Sequence, residues 1–411
     1  MTKKFHNILD FQTINVVPIL LIIATCFLLI ISSEKLPFAV FTPGLPYLDT
    51  LAFIVPLIIC VLLLIRDNEV KLDLIAIMLF FRVIFSLLTF QKNNISYYLA
   101  SKSFLVFTTS LMSYVIWYSI AKNIETKKFS LFIKVFASIL SIQTFGIYFR
   151  NYLEFGVVFK NAIEVPIGSS NFVAANLIVC VVYLLYVSNK NRVDTFVIGL
   201  SIVSLILTLS FGAIVSLFLI LIVRYYMDMK DRSVTRRLFM FSLLITAFIG
   251  LCHYYINYSP SSDNIFNDIN ANISIKVIYL YEGNIERLLS GRLGLYELAI
   301  ENFINNPLLG SYYGVVFKGI ANFKAHNLFL EALSSYGILG FITFIIPLLT
   351  ALFNVNRINR RIVESETPFL LALLVGIIHG FVEPNFFTLS FEFIWWSIAG
   401  YAIGKYATTE K

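Results

Sequence analysis

The sequence predicts an all-α, polytopic integral membrane protein of about twelve transmembrane helices, with one large extracytoplasmic loop between the ninth and tenth. Three observations lead there. First, 58% of the 411 residues are hydrophobic and 13% are charged, with a mean hydropathy of +0.83, against about 45–50% apolar and about 25% charged in a soluble domain. Second, apolar runs of roughly 17–22 residues recur along the chain, the length that crosses a hydrocarbon core as a helix. Only helices or closed barrels satisfy the backbone in lipid, and continuous apolarity excludes a barrel, whose strands alternate. Third, the basic residues gather in short connections, where they orient a membrane protein.

In chain order, the expected helices cover residues 14–32, 49–65, 72–90, 100–120, 129–149, 171–187, 195–209, 211–224, 238–257, 326–352, 368–382 and 386–404. Lys3 and Lys4 ahead of Ile14–Ser32 resemble a secretory signal. The apolar run is longer than a signal core and lacks a small-residue cleavage site, so an uncleaved first helix is expected. The stretch 195–224 is too long for one span, and a break is expected at Thr208-Leu-Ser-Phe-Gly212. With the N-terminus inside, 19 of the 31 Lys and Arg residues fall on the cytoplasmic side, 10 outside and 2 within helices. Half of those outside lie in the long loop 258–325, and long loops weigh little in this rule. Both termini are therefore expected in the cytoplasm, and residues 1–411 read as a single membrane domain.

Of the two basic residues within helices, Lys134 lies near a helix end and can snorkel. Arg82 lies mid-helix, where a charge marks either a functional site or a structural pair; the sequence leaves both open. The net charge of +7 is accounted for by topology and implies no nucleic-acid partner. Cys26, Cys60, Cys180 and Cys252 all fall in apolar runs and show neither metal spacing nor a disulfide pattern.

The polar chemistry concentrates between Ser290 and Gly340. Residues 291–305 form an amphipathic helix with Leu293, Tyr296, Ile300 and Phe303 on one face and Gly294, Glu297, Glu301 and Asn305 on the other. Such a helix lies flat on the outer membrane surface. Ser290 is its expected N-cap, and Asn306-Pro307 ends it. Arg292 then sits in the first turn, where the helix dipole disfavours a cation. A bound anion removes that conflict; a solvated loop arginine has the same spacing, and Arg287 is a weaker version of the same case. His326 and Asn327 open the tenth helix. Asn327, Glu331, Ser334 and Ser335 follow as a polar stripe, which in a membrane faces a cavity or another polar helix. Gly337 and Gly340 permit close packing below it. A histidine at a helix start is a catalyst, a cap or an interface residue, and spacing does not separate these. His379 and Glu383 end the eleventh helix on the same side, as site residues or as ordinary polar helix ends. The chain has no glycine-rich phosphate loop, no His-Glu-x-x-His and no metal-ligand cluster; no metal or cofactor is expected.

Four features together resemble the O-antigen ligase and O-antigen polymerase superfamily of bacterial envelope glycosyltransferases, which includes the Wzy-type polysaccharide polymerases. In order they are Gly168-Ser-Ser-Asn171 with Ala174, Thr208-Leu-Ser210-Phe-Gly212, Ser290-Gly-Arg292 with Asn306-Pro307-Leu-Leu-Gly310, and His326-Asn327-Leu-Phe-Leu330-Glu331 with Gly337 and Gly340. The family commonly carries arginine after the serine of the second feature, where this chain has Phe211. That position is empty of charge or Arg82 replaces it.

The resemblance implies a GT-C-like fold in the bacterial cytoplasmic membrane and a metal-independent glycosyltransferase. Its donor is a polyprenyl-diphosphate-linked oligosaccharide, with a flippase and a chain-length regulator as partners beside the bilayer. It implies catalytic roles for Arg292 and His326. Arg287, Arg82, Asn171, Ser210, Asn327, Glu331, His379 and Glu383 are the expected substrate-binding set. Polymerisation of lipid-linked repeat units into a surface polysaccharide, O-antigen or capsule, is the expected reaction. The alternatives are a ligase that moves finished glycan to a terminal acceptor, and a twelve-span secondary transporter. Against the last stands the absence of repeat symmetry.

Overall fold

The computed structural model describes residues 72–93, 97–187 apart from five positions between 157 and 166, 191–228, 282–288, 292–312, 315–317, 320–361 and 367–406, with a few isolated positions besides. In chain order the helices are α1 (Leu74–Lys92), α2 (Tyr97–Ile120), α3 (Thr126–Phe155), α4 (Ser170–Tyr186), α5 (Arg192–Leu207), α6 (Phe211–Asp228), the single turn α7 (Ile285–Leu288), α8 (Arg292–Asn305), α9 (Leu328–Arg361), α10 (Thr367–Gly380) and α11 (Leu389–Tyr406). Two antiparallel ribbons complete the described structure: β1 (Glu164–Val165) with β2 (Gly168–Ser169) before α4, and β3 (Val315–Phe317) with β4 (Ile320–Phe323) before α9.

Local sequence sets the helix ends. Asp73 caps α1 by accepting from the Ala76 amide at 3.0 Å, and Asn191 with Asp194 forms a capping box on α5. The 195–224 stretch breaks where expected: Thr208 closes α5, Leu209 takes a left-handed φ of 54° and Phe211 opens α6. At the centre, α11 lies against α2, and every residue from Ser390 to Gly404 is buried. A Cβ on Gly400 or Gly404 would run into the carbonyl oxygens of Tyr114 and Tyr118, so small residues four apart let the two backbones meet. Phe129 stacks on Tyr401 at 4.1 Å between ring centres, and Trp395 donates to the Leu373 carbonyl at 3.1 Å. Helices α4 with α10, α3 with α5 and α1 with α9 pack around this pair. Their outward residues are large and apolar: Phe80, Phe81 and Leu88 on α1, Ile142 on α3, Phe196 on α5, and Leu349 and Phe353 on α9. So much exposed hydrocarbon on several helices suits lipid rather than water.

The expectation of about twelve transmembrane helices is corrected. The fold is all-α and multi-helix, but among the described residues four helices are long and apolar enough to span: Leu74–Lys92, Ser103–Asn123, Thr126–Phe155 and Leu328–Asn359. The expected helices at 14–32 and 238–257, and nearly all of 49–65, lie outside the described residues. The remaining five became α4, α5, α6, α10 and α11, of 14 to 18 residues, short for a hydrocarbon core of about 30 Å. The physical reason is what covers them. Helix α10 is buried along nearly its whole length and so is α4. Their apolarity answers to neighbouring helices, and a hydropathy window does not separate a helix solvated by protein from one solvated by lipid.

Candidate active site

Glu383 stands at the centre of the polar residues, in the turn after α10, and is 3% exposed. That turn is built by the His379 carbonyl, which accepts from the amides of Val382 at 3.0 Å and Glu383 at 3.1 Å. The Glu383 Oε2 accepts from Asn171 Nδ2 at 2.9 Å and from Arg292 Nη2 at 3.2 Å, while its Oε1 lies 3.0 Å from His326 Nδ1. Asn171 is fixed in turn by Ser210, whose hydroxyl donates to Asn171 Oδ1 at 3.1 Å. Three separate segments thus meet on one carboxylate, the start of α4, the start of α8 and the entry to α9, and a fourth, the α5–α6 break, is linked to it through Asn171.

Arg292 is the first described residue of α8; its expected cap, Ser290, lies outside the described residues. The Arg292 guanidinium is met by an anion, the protein's own Glu383, at 3.2 Å. Arg292 Nη1 also donates to the Val382 carbonyl. The buried side of α8 carries Leu295 and Ala299, packed near Ala325. Leu293 and Ile300, on the face expected to meet the membrane, are exposed, as are Ile304 and Leu308.

His326 has a φ of 50°, rare for a residue with a side chain, and the residues around it hold it there. Asn327 caps α9: its Oδ1 accepts from the amides of Phe329 at 3.0 Å and Leu330 at 3.1 Å, and its Nδ2 donates to the Phe381 carbonyl at 3.2 Å. Glu331 reaches back to the Ala325 amide at 2.7 Å and accepts from the Ser335 hydroxyl at 3.2 Å. The polar stripe of α9 therefore builds the turn that presents His326.

Further down, α9 breaks at Gly337 (φ 64°). The turn after α8 inserts there: Pro307 O accepts from Ile338, and the Ser311 and Tyr312 amides donate to the Ser334 and Ser335 carbonyls, at 2.8, 2.9 and 2.9 Å. A Cβ on Gly310 or Gly337 would overlap the opposing backbone. This lock ties the helix that carries Arg292 to the helix that follows His326.

The electrostatics follow from the geometry. Burial pushes the Glu383 carboxyl up, but the His326 hydrogen bond and the charges of His326 and Arg292 outweigh it and hold the group below the ordinary carboxylate range. Lys324, 5.1 Å from the centre of the Phe172 ring, adds positive charge two residues before His326. Among the described residues no cluster of His, Cys, Asp or Glu could hold a metal.

Of the expected site residues, Arg292, His326, Asn171, Ser210 and Glu383 form one hydrogen-bonded set. His379 is buried beside it, with Nε2 3.9 Å from where a Cβ on Gly212 would sit. Arg287 is exposed on α7 and lies 5.9 Å from the Tyr279 ring centre. Arg82 stands elsewhere: Nη2 pairs with Glu392 at 2.7 Å and donates to the Phe386 carbonyl at 3.2 Å, and the guanidinium covers the Phe107 ring at 4.1 Å. Its side chain is thus held in a buried ion pair with Glu392, apart from the Glu383 set. Sequence reasoning missed Glu392 as the partner of Arg82, Lys324, and the central place of Glu383. A Glu four residues after a His at a helix end was the only local sign of the last.

Residues 196–345 match the family model described as O-antigen ligase. The matched stretch runs from α5 into α9 and includes Ser210, Arg292, His326 and both glycines of the lock; Asn171 and Glu383 lie outside it. No curated protein matches the chain. This chain, with four helices among the described residues long and apolar enough to span a membrane, is thus similar over residues 196–345 to the O-antigen ligase family.

Proposed function

We propose that the chain transfers a glycan from a polyprenyl diphosphate to a hydroxyl acceptor at the outer face of the membrane, in the manner of a ligase. The observation that supports this is the meeting of Arg292 and His326, from separate segments of the matched stretch, on one buried carboxylate. Arg292 is the diphosphate-binding group, since a planar guanidinium pairs phosphate oxygens in a rigid fork, and Lys324 adds charge two residues before His326. His326 takes the proton of the acceptor hydroxyl. The acceptor oxygen then bonds to the anomeric carbon, the bond from that carbon to the diphosphate oxygen breaks, and its electron pair leaves with the diphosphate. The developing negative charge is met by Arg292. In this reading the 258–325 segment faces outward, and the transfer needs no metal.

The family's description favours the ligase form over the repeat-unit polymerase expected from the sequence; the two share every step and differ in the acceptor. Deleting the gene and resolving the surface glycan on a gel tests the reading. Long polymer accumulating on the lipid carrier supports a ligase. A single repeat unit on the terminal acceptor, with no long chains, makes it a polymerase. Unchanged glycan overturns both. Transfer by the purified protein should persist in EDTA.

A further inference from the structure

We infer that Glu383 is a positioning residue: it holds the His326 imidazole with its proton on Nδ1 and so leaves Nε2 as the nitrogen that receives the acceptor proton. The inference rests on the glycan-transfer reading for the word acceptor, and on geometry alone for the tautomer.

The two oxygens of Glu383 are divided. Oε2 takes Asn171 and Arg292, and Oε1 is left to His326 at 3.0 Å. Three partners from three segments fix the carboxylate plane, and the group is 3% exposed, so it does not swing to solvent. An ionised carboxylate only accepts hydrogen bonds. Glu383 is held ionised by its neighbours at neutral pH, so the hydrogen on the short contact belongs to Nδ1. A neutral imidazole with hydrogen on Nδ1 carries its lone pair on Nε2. His326 remains 29% exposed at the side chain, open to a reactant.

Among the described residues no other carboxylate is hydrogen-bonded to His326. Glu331, the nearest along the chain, spends one oxygen on the Ala325 amide and the other on Ser335. The charged and titratable groups facing Glu383 are Arg292 and Tyr296 from α8, His326 from the α9 entry and His379 from α10. The backbone is prepared as well: the Asn327 cap and the Glu331–Ala325 bond fix the left-handed turn at residue 326, and Glu383 then fixes the ring. Backbone and ring are set by different groups, which gives the histidine one orientation and one tautomer.

The tautomer is directly measurable, because the chain has only 4 histidines. In full-length protein labelled with ¹⁵N-histidine, the His326 signals, assigned by loss in His326→Asn, should report Nδ1–H and a bare Nε2 at pH above neutrality. In Glu383→Gln an amide can donate to or accept from Nδ1, so the signals should move toward Nε2–H. Transfer by Glu383→Gln should fall about 10²-fold or more in kcat, the scale on which a wrong imidazole tautomer acts, with KM for the lipid donor changed by less than about threefold. The same substitution in a His326→Ala background should cost far less than in the wild type, since its effect through the histidine is already gone. Nε2–H at His326 in the wild-type protein overturns the inference even if Glu383→Gln does not fold, as does full additivity of the two substitutions. A wild-type protein that shows the Nδ1–H tautomer but transfers no glycan overturns the proposed function and leaves the positioning role standing.

Discussion

Two arginines grip the segment after α10, one near each end, and their surroundings could hardly differ more. Arg82 pairs with Glu392 at 2.7 Å, with the two side chains 3% and 0% exposed. Glu392 is also held by the Ser110 hydroxyl at 2.7 Å and the Trp396 indole at 2.6 Å, and Phe107, Phe344 and Phe387 close over the guanidinium. Arg292 pairs with Glu383 at 3.2 Å and is 18% exposed; the other partner of that carboxylate, His326, is 29% exposed. The first pair is buried, with its charges 3% and 0% exposed; the second is open at the arginine and the histidine. Charge within an apolar protein therefore does not by itself mark a site. A charge marks a site when its partner can be exchanged for a ligand.

The largest expected effects break the open pair. Arg292→Ala should abolish transfer without lowering protein level, and Arg292→Lys should rescue poorly because a point charge lacks the fork. His326→Asn and His326→Ala should each fall by about 10²–10⁴-fold in kcat, measured on purified protein with lipid-linked donor. A near wild-type rate in His326→Asn would reduce the histidine to a packing residue.

Breaking the sealed pair should act on stability instead. Arg82→Ala strands Glu392 in the core and should cost about 3–5 kcal/mol in a reversible unfolding measurement. The double replacement Arg82→Met with Glu392→Leu removes both charges and should recover most of that, with transfer per folded molecule within about tenfold of wild type. If the double variant folds well and yet transfers as poorly as Arg292→Ala, the contrast between the two arginines fails.

The lock at the α9 break lies between these cases. Gly337→Ala puts a side chain at a left-handed φ and against the Leu308 backbone, and should lower stability by about 1–3 kcal/mol. Its effect on transfer should exceed that of Arg82→Met/Glu392→Leu, because it loosens α8 against α9.

The smallest effect is the dependence on pH. Glu383 has a depressed folded value, so its contribution to stability is fully present above the ordinary carboxylate range and is lost as pH falls through the folded value. The Tm difference between wild type and Glu383→Gln should therefore not close until pH drops below that range. A difference that vanishes between pH 7 and pH 5 would mean that the pair with Arg292 is not formed in solution.

Much of the geometry of the candidate site was legible in the sequence because its local signals are strong. An arginine at a helix start asks for an anion, and a His-Asn pair before an apolar run with a following glutamate marks a capped helix entry. The break at Thr208–Ser210 and the amphipathic α8 were equally legible, since a run too long for one helix and an apolar face are both periodic properties. Tertiary structure decided the rest. It chose Glu383 as the anion for Arg292 from a residue 91 positions away, and it chose Glu392 as the partner of Arg82, which turned an ambiguous charge into a structural one. It also assigned Asn327 and Glu331 to building a turn. Above all it reduced the apolar runs to four candidate spans among the described residues. The sequence by itself determined an apolar, mainly helical chain with its polar residues gathered near two helix starts, because hydropathy and capping are local. Which helices face lipid, and which carboxylate meets which arginine, depend on contacts between distant segments, and periodicity carries no record of those.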